Sequence, residues 1–509
     1  MLGHTLEASA SPQSDSTNRA RCPASRSAPF HASSSVQPNG LPFMGGGRVR
    51  YDQPMNVARI VELRLNQFKS FQGAVLPLEG VTLLTGRNSS GKSNALDGLE
   101  VLARLSEGED IVDALDGRRR EGGAVRGGSD GCAPHGKDRF ALGCTVEVDG
   151  DTYRYDVAIE VRPDLRIVHE KLVGPAVAVS SGNVTFGPLV ESRAPGAPGT
   201  GIEAEIHNGK RGVNPVHRFR DSRLIISQVP LALSGSDAAE VSVLRGTEAV
   251  LLALRGVFHF DPIPHLMRDF VPGRDVELRR TGENLSASLR NLQRTDLEAF
   301  DHLTELVRQI ADDRIKGINF VSSELGDVML ALIESRGSSS WGDERTPARQ
   351  MSDGLLRFIG IATTLLSSQH GLDIDKALST SPSPSGAEPE GGVLIVLEEL
   401  ENGLHPSQAK RVLDLVRSSS RSAGSSVLLT THSPALLDAA EGLLNESVIV
   451  CYRDPKTGLS QLSALTELPG YAAALAEGTL GSAVTSGKLV DATERTADFA
   501  EFERLLGLR

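Results

Sequence analysis

The chain has 509 residues, with 53 Lys and Arg against 65 Asp and Glu and a formal net charge of −12. This balance excludes a surface coated in basic residues for nucleic acid, though not a local basic groove. With 39% hydrophobic and 23% charged residues, the composition is that of a soluble globular protein. The length suits about two to four domains, or one large α/β domain carrying insertions. No uninterrupted apolar run approaches the length of a membrane-spanning helix. The four cysteines, Cys22, Cys132, Cys144 and Cys451, show no C-x-x-C pairing and no zinc-like spacing to histidine. They read as ordinary thiols of a reducing, cytoplasmic protein.

Residues 1–54 are rich in Ser, Pro, Ala, Gly and Arg. They are expected to be disordered and are excluded from the fold. They lack the apolar stretch of a secretory signal. Two readings stay open: a weak resemblance to a transit peptide, or a start placed too early, with Met55 as the true beginning. Order is expected from about Val57. Residues 59–65 alternate apolar and polar as a half-buried strand does, and 73–78 form a second strand candidate. Val81-Thr82-Leu83-Leu84-Thr85 is an apolar, β-branched run. It leads directly into Gly86-Arg87-Asn88-Ser89-Ser90-Gly91-Lys92-Ser93, which matches the phosphate-binding pattern G-x-x-x-x-G-K-[ST]. Residues 94–102 follow as a helix with Leu96, Leu99 and Leu102 on one face. In this strand–loop–helix setting, backbone N–H groups of Gly86, Asn88, Ser89, Ser90 and Gly91 can wrap a polyphosphate. The helix N-terminus adds partial positive charge. Lys92 is expected to reach the β- and γ-phosphates, and the Ser93 hydroxyl to hold Mg²⁺.

Further along, 117–136 read as a glycine-rich surface loop. Residues 140–161 read as a hairpin turning at Asp149-Gly150. Short β-like pieces fill 175–215, and helical patterning takes over from about 236. Leu285, Leu289 and Leu292 share one helix face, as do Leu303, Leu306 and Ile310. A hairpin is expected over 317–335 and a Ser/Pro/Gly/Glu linker over 376–392. The chain then returns to strand–helix–strand at 393–397, 408–418 and 426–431. The catalytic domain is therefore expected to be split. Its halves are 55–115 and 345–452, with a β-rich insertion at 116–235, a helical lobe with a hairpin at 236–344 and an extension at 453–509.

The second half carries the acids. Val393 to Leu397 is an apolar strand ending in Glu398-Glu399. A phosphate-loop enzyme needs one acid for Mg²⁺ and another to orient the attacking water. We assign Glu398 to the metal and Glu399 to the general base, over the alternative that both only cap the next helix. Val427 to Thr431 is a second apolar strand, with His432 at its tip placed to meet a γ-phosphate or the attacking water. Glu401-Asn402-Gly403-Leu404-His405-Pro406 is a turn opening a helix. Met351-Ser352-Asp353-Gly354-Leu355 precedes another apolar helix. Ser352 and Asp353 serve there either as helix caps or, with Gly354, as an anion cradle.

Together these pieces resemble the ABC-type ATPase heads of the RecF/SMC/OLD-like group, and more closely bacterial AAA family ATPases with an ABC-like core. The resemblance covers 57–115 and 345–452 well and 255–340 loosely. It implies an α/β P-loop NTPase of ABC/SMC-head type with a split core, inserted β hairpins and a helical lobe. Residues 86–93 resemble Walker A, 393–399 Walker B with its catalytic glutamate Glu399, and 402–406 the D-loop, which puts Asn402 at the nucleotide. His432 resembles the switch histidine and 351–355 the signature motif. By that likeness Ser352 and Gly354 would meet the γ-phosphate held by a second protomer. The implied activity is ATP and Mg²⁺ binding with hydrolysis to ADP and phosphate in an ATP-dependent homodimer. Lys69 or Phe71 would touch the nucleotide base. The chain departs from the pattern in several places. Walker B ends in Glu-Glu rather than Asp-Glu. No glutamine lies between 73 and 227 to supply a Q-loop. The signature is Met-Ser-Asp-Gly-Leu rather than Leu-Ser-Gly-Gly-Gln, and no TOPRIM-like acidic cluster follows His432. The alternative reading is an ATP-gated DNA- or protein-binding module, of DNA repair or phage-defence type, whose hydrolysis is incidental. Arg268, Arg274, Arg279, Arg280, Arg290 and Arg294 would supply its mildly basic stretch, although acids are interleaved with them. A transporter ATPase fits less well, because the chain has no membrane segment and the head is split.

Overall fold

The first strand, β1 (Val57–Gln67), starts the larger of two main sheets. The computed structural model describes residues 57–117, 123–310, 314–335, 343–367, 371–374, 390–401, 409–420, 425–440, 444–471 and 479–486. After β2 (Ala74–Pro77), β3 (Val81–Thr85), α1 (Lys92–Ser106) and α2 (Ile111–Asp116), six strands extend that sheet: β4 (Arg139–Val148), β5 (Asp151–Glu160), β6 (Arg166–Val177), β7 (Val184–Ser192), β8 (Ile202–Ile206) and β9 (Val216–Phe219). They follow one another as an antiparallel meander from β1. The 140–161 expectation is met by the β4–β5 hairpin. Its turn places Asp149 at φ 54° and Gly150 at φ 83°, the two left-handed positions a tight hairpin favours. The region expected as an insertion thus grows out of the first sheet.

Alternate residues of β5 and β6 point inward, leaving an outer face of paired charges. Lys171 Nζ lies 2.7 Å from Glu191, Arg193 2.9 Å from Glu205 and Arg218 2.7 Å from Glu203. The inner face packs on α4 (Ala238–Arg255), which follows α3 (Ile225–Ala232). Glu170 is fully buried at that junction and accepts the backbone N–H groups of Ile225 (2.6 Å) and Ile226 (2.9 Å). Burial pushes its carboxyl up to about 7, against the pull of those donors. The folded protein therefore binds an extra proton between the ordinary glutamate range and pH 7. Stability should be full below that window and fall as pH rises through it. Thermal unfolding from pH 4 to 8 should show this slope, and Glu170→Gln should flatten it.

The second sheet is the functional core. After α4 come β10 (Val257–Phe260), then β11 (Val271–Pro272), α5 (Leu285–Thr295), α6 (Leu297–Ile310), β12 (Ile315–Ser322), β13 (Asp327–Ser335), β14 (Asp343–Pro347) and α7 (Asp353–Leu366). The chain returns through β15 (Glu390–Gly391), β16 (Val393–Leu397), α8 (Ala409–Ser419), β17 (Ser425–Thr431), α9 (Pro434–Ala440), β18 (Val448–Arg453) and β19 (Ser460–Ala464). The core order is β10-β16-β17-β3-β18-β19, parallel except for β19. Side chains alternate across a strand, and here both faces are covered. Leu84, Leu394, Val396 and Leu428 join the core beneath the large sheet. Leu83, Ile395, Leu397, Val427 and Leu429 join the core shared with α5 to α8. That is why these strands read as unbroken apolar runs rather than alternating ones. β10 was not legible: four residues directly after a helix carry no periodicity of their own. The small sheet β11-β13-β12, with β14 on β13, stands beside α5 and α6.

Candidate active site at the carboxyl ends of the core strands

β17 lies between β3 and β16, with Thr431 level with Thr85 and Leu429 level with Leu397. The loop after β3 and the acids after β16 therefore emerge on the same sheet edge, two strand spacings or about 10 Å apart. Open α/β sheets bind ligands at this edge.

The loop itself is shaped by backbone conformations few residues tolerate. Gly86 has φ 146°, Ser89 φ 64° and Gly91 φ 120°. A Cβ on Gly86 would sit 2.1 Å from the Cys451 carbonyl oxygen, and one on Gly91 2.4 Å from Ser460 Oγ, so only glycine fits. The floor beneath the loop comes from the β18–β19 hairpin. Ser460 Oγ donates to the Ser90 carbonyl (2.6 Å), and Arg453 Nε donates to the Ser89 carbonyl (3.2 Å). Asn94 Nδ2 donates to Ser70 Oγ (2.8 Å), which is 2.8 Å from Ser460 Oγ. The segment expected as an extension thus supports the loop. Phe71 is buried and its ring lies against Gly91. Lys69 is ion-paired with Asp97 (2.6 Å) and donates to the Arg126 carbonyl (2.7 Å). Phe71 thus backs the loop, while Lys69 ties α1 to the segment around Arg126.

Lys92 opens α1 and turns back over the loop, its ammonium donating to the carbonyls of Gly86 (2.7 Å) and Arg87 (3.2 Å). Among the described residues it makes no ion pair. Burial pulls its pKa below the ordinary lysine range, while Cys451, Glu399 and Glu401 oppose that pull. The acids after β16 thus lie within the electrostatic reach of the lysine after β3. Ser93 follows in the first turn of α1.

At the end of β16, Glu398 is half-buried. Its Oε1 lies 2.9 Å from Nε2 of His259 on β10, close in distance but off the axis of a hydrogen bond. This contact and the positive charge of Arg126 hold its carboxyl below the ordinary range, against burial. Arg126 also bonds Asp97 (2.6 Å), so the glycine-rich loop 123–136 reaches the site. Glu399 has φ 46° and its N–H donates to Thr430 Oγ1 (3.0 Å). A left-handed glutamate at this point holds the turn tight and leaves the side chain exposed. Glu401 accepts from Thr431 Oγ1 (2.8 Å) and from the His432 N–H (2.8 Å), and lies 3.1 Å from His432 Nδ1. Asn402 and the rest of 402–406 lie outside the described residues.

Ser352 is the N-cap of α7, its Oγ accepting the Leu355 N–H at 3.3 Å. Asp353 is paired with Arg268, whose Nη2 donates to its carboxylate and to the Met351 carbonyl, both at 2.7 Å. The acid that departs from the signature pattern is therefore neutralised from the turn before β11. Ser352 and Gly354 are not buried. Sequence reasoning missed Arg126, His259 and Ser460, placed Arg268 in a basic stretch rather than beside Asp353, and gave Glu401 no role of its own.

A glycine-rich loop closing a buried parallel strand, with acids and a histidine rising from the neighbouring strand ends, defines a P-loop ATPase fold. The family model described as "AAA domain, putative AbiEii toxin, Type IV TA system" matches residues 81–438. This is more than half of the chain, which belongs to that family of AAA ATPases. No curated protein matches the sequence significantly. Among solved structures, an SMC head bound to the C-terminal winged-helix domain of ScpA is 14% identical. It covers 80% of this chain and 97% of its own, with a TM-score of 0.41. The SMC head of Thermotoga maritima is 13% identical, covers 80% and 98%, and has a TM-score of 0.35. An SMC head from Pyrococcus furiosus with an extended coiled coil, bound to the C-terminal domain of ScpA, is 12% identical. It covers 83% and 99%, with a TM-score of 0.34. Scores of this size do not establish a relationship, and the class rests on the sheet order, the loop and the family match. Among the described residues no helix is long and apolar enough to cross a membrane. Cys132, Cys144 and Cys451 are free and buried.

Proposed function

We propose that the protein hydrolyses ATP to ADP and phosphate in the cytoplasm, at composite sites formed when two copies close around the nucleotide. The observation that carries this reading is the strand register that brings the loop after β3 and the acids after β16 out at one sheet edge, with β17 between them, although Lys92 and Glu399 lie more than 300 residues apart in sequence. The residues suit the ligands. Gly86, Ser89 and Gly91 give the loop positive φ angles, the kind of backbone from which N–H groups can form an anion-binding concavity. Mg²⁺, held by Ser93 and Glu398, would neutralise phosphate oxygens. It needs few protein ligands when phosphates and water supply the rest.

In this mechanism Lys92 leaves the loop carbonyls for the β- and γ-phosphate oxygens. Glu399 takes the proton of the attacking water, and His432 meets the γ-phosphate or that water. Catalysis is positioning and charge stabilisation, as phosphoryl transfer requires. Ser352 and Gly354 would serve the partner's nucleotide, and Arg268 would keep Asp353 from repelling it. Arg268→Ala is therefore expected to lower turnover about 10-fold or more, by releasing a carboxylate beside a phosphate. Arg268→Ala with Asp353→Asn should recover most of the loss. The defining experiment is ATP turnover with light scattering, on wild type and Glu399→Gln. The reading requires turnover by wild type and an ATP-dependent doubling of mass in the variant. Absence of both would reject it.

Three of the six arginines named for the DNA-binding alternative are engaged in ion pairs. Arg268 pairs with Asp353, Arg279 with Asp275 and Glu283, and Arg280 with Glu100. Affinity for duplex DNA should show no ATP-dependent salt slope. A steep slope, present only with ATP, would restore that alternative.

A further inference from the structure

We propose that Glu401 is the positioning carboxylate of His432, fixing which ring nitrogen faces the nucleotide. The proposal rests on the reading of His432 as a residue that meets the γ-phosphate or the attacking water. The turn leaving β16 is stitched to the tip of β17. Glu399 N–H donates to Thr430 Oγ1 (3.0 Å), Leu400 N–H donates to the Thr430 carbonyl (3.3 Å), and Leu400 is buried beneath. Glu401 completes the seam. One of its oxygens accepts the Thr431 hydroxyl, and the other accepts the His432 backbone N–H and faces Nδ1 at 3.1 Å. Its side chain is 14% exposed and the ring of His432 43% exposed.

A plain structural role explains less. Ser433 Oγ already accepts the Leu436 N–H in the first turn of α9 (3.4 Å), so Glu401 is not needed as that helix's cap. The Thr431 hydroxyl and the His432 N–H could be satisfied by a neutral acceptor. A charged group at this depth gains from the field of Lys92 and from the ring whose Nδ1 lies 3.1 Å away. In this proposal Nδ1–H turns to the Glu401 oxygen 3.1 Å away, and Nε2 is the ring atom left for the nucleotide. It accepts from the attacking water when the ring is neutral and donates to a phosphate oxygen when it is protonated. The pairing is the second-layer arrangement that sets tautomer and orientation in other carboxylate–histidine pairs.

The test uses the full chain in two arms. In the first, nitrogen-15 spectra of the histidine rings are recorded, with His432 assigned from its loss in His432→Ala. The proposal requires Nδ1 protonated and Nε2 bare in neutral wild-type His432, and a changed ring pattern in Glu401→Gln. A wild-type ring protonated on Nε2 alone, or unchanged signals in a folded Glu401→Gln, would overturn it. In the second arm, Glu401→Gln should lower kcat about 10- to 100-fold with KM for ATP preserved. It should add no loss when His432 is already alanine. Multiplying losses would also overturn the proposal. If wild type shows no turnover, the ATPase reading fails and the ring spectra alone decide the role of Glu401.

Discussion

Lys92→Ala is expected to be the most damaging single substitution in this protein. Its ammonium folds back over the loop, held by the Gly86 and Arg87 carbonyls rather than by an acid. Those carbonyls are weaker partners than a triphosphate, so transfer to the phosphates is favourable. Burial holds the lysine below its ordinary pKa range, and the incoming negative charge reverses that penalty. Alanine leaves the backbone N–H groups in place but removes the charge that follows the phosphoryl group through transfer. Loss of one such donor costs about 10²- to 10³-fold in kcat, and ATP affinity should fall with it. Turnover and fluorescent-nucleotide titration would measure both. Thermal unfolding should stay near wild type, because Lys92 is only partly buried and its ammonium bonds only loop carbonyls.

Glu399→Gln should act differently, leaving binding intact and stopping the chemistry. The side chain stands exposed at the strand end, and its backbone is anchored by Thr430. The amide preserves size but cannot take the proton of the attacking water. General-base loss costs about 10²- to 10⁴-fold, so ATP should accumulate uncleaved. If closure of two copies depends on ATP, the trapped variant should be dimeric when wild type is mostly monomeric. Normal turnover in a clean preparation would remove Glu399 from its role.

The sequence was most informative where the chemistry is contiguous. The loop 86–93 needs its glycines, lysine and serine within one turn, so the spacing carries the meaning. The acids after β16 and the histidine after β17 were legible because a strand buried on both faces is an apolar run with a sharp polar end. Each helix and hairpin with a clear period was legible too, from β4–β5 to α6. What stayed hidden depends on contacts between distant segments. Ser460 supports Ser90 across 370 positions, Arg268 answers Asp353 across 85, and Glu401 meets Thr431 across 30. Nothing local marks such residues, since a glutamate in a turn or a serine at a strand start satisfies many neighbourhoods equally. That β3 shares a sheet with β16 and β17 was inferable from element order, but the joining of β15 to β1 and of β10 to β16 was not.

The central claim, that segments 86–93 and 398–401 enclose one triphosphate and its metal, can be tested by letting the metal report its neighbours. Fe²⁺ replacing Mg²⁺ with ATP, in the presence of ascorbate and peroxide, cuts the backbone near the ion. The cuts can then be mapped by mass spectrometry. Two ATP-dependent clusters, one beside Ser93 and one beside Glu398, are predicted, and both should vanish in Lys92→Ala. Cleavage beside Ser93 alone, with the chain around Glu398 intact, would contradict the account.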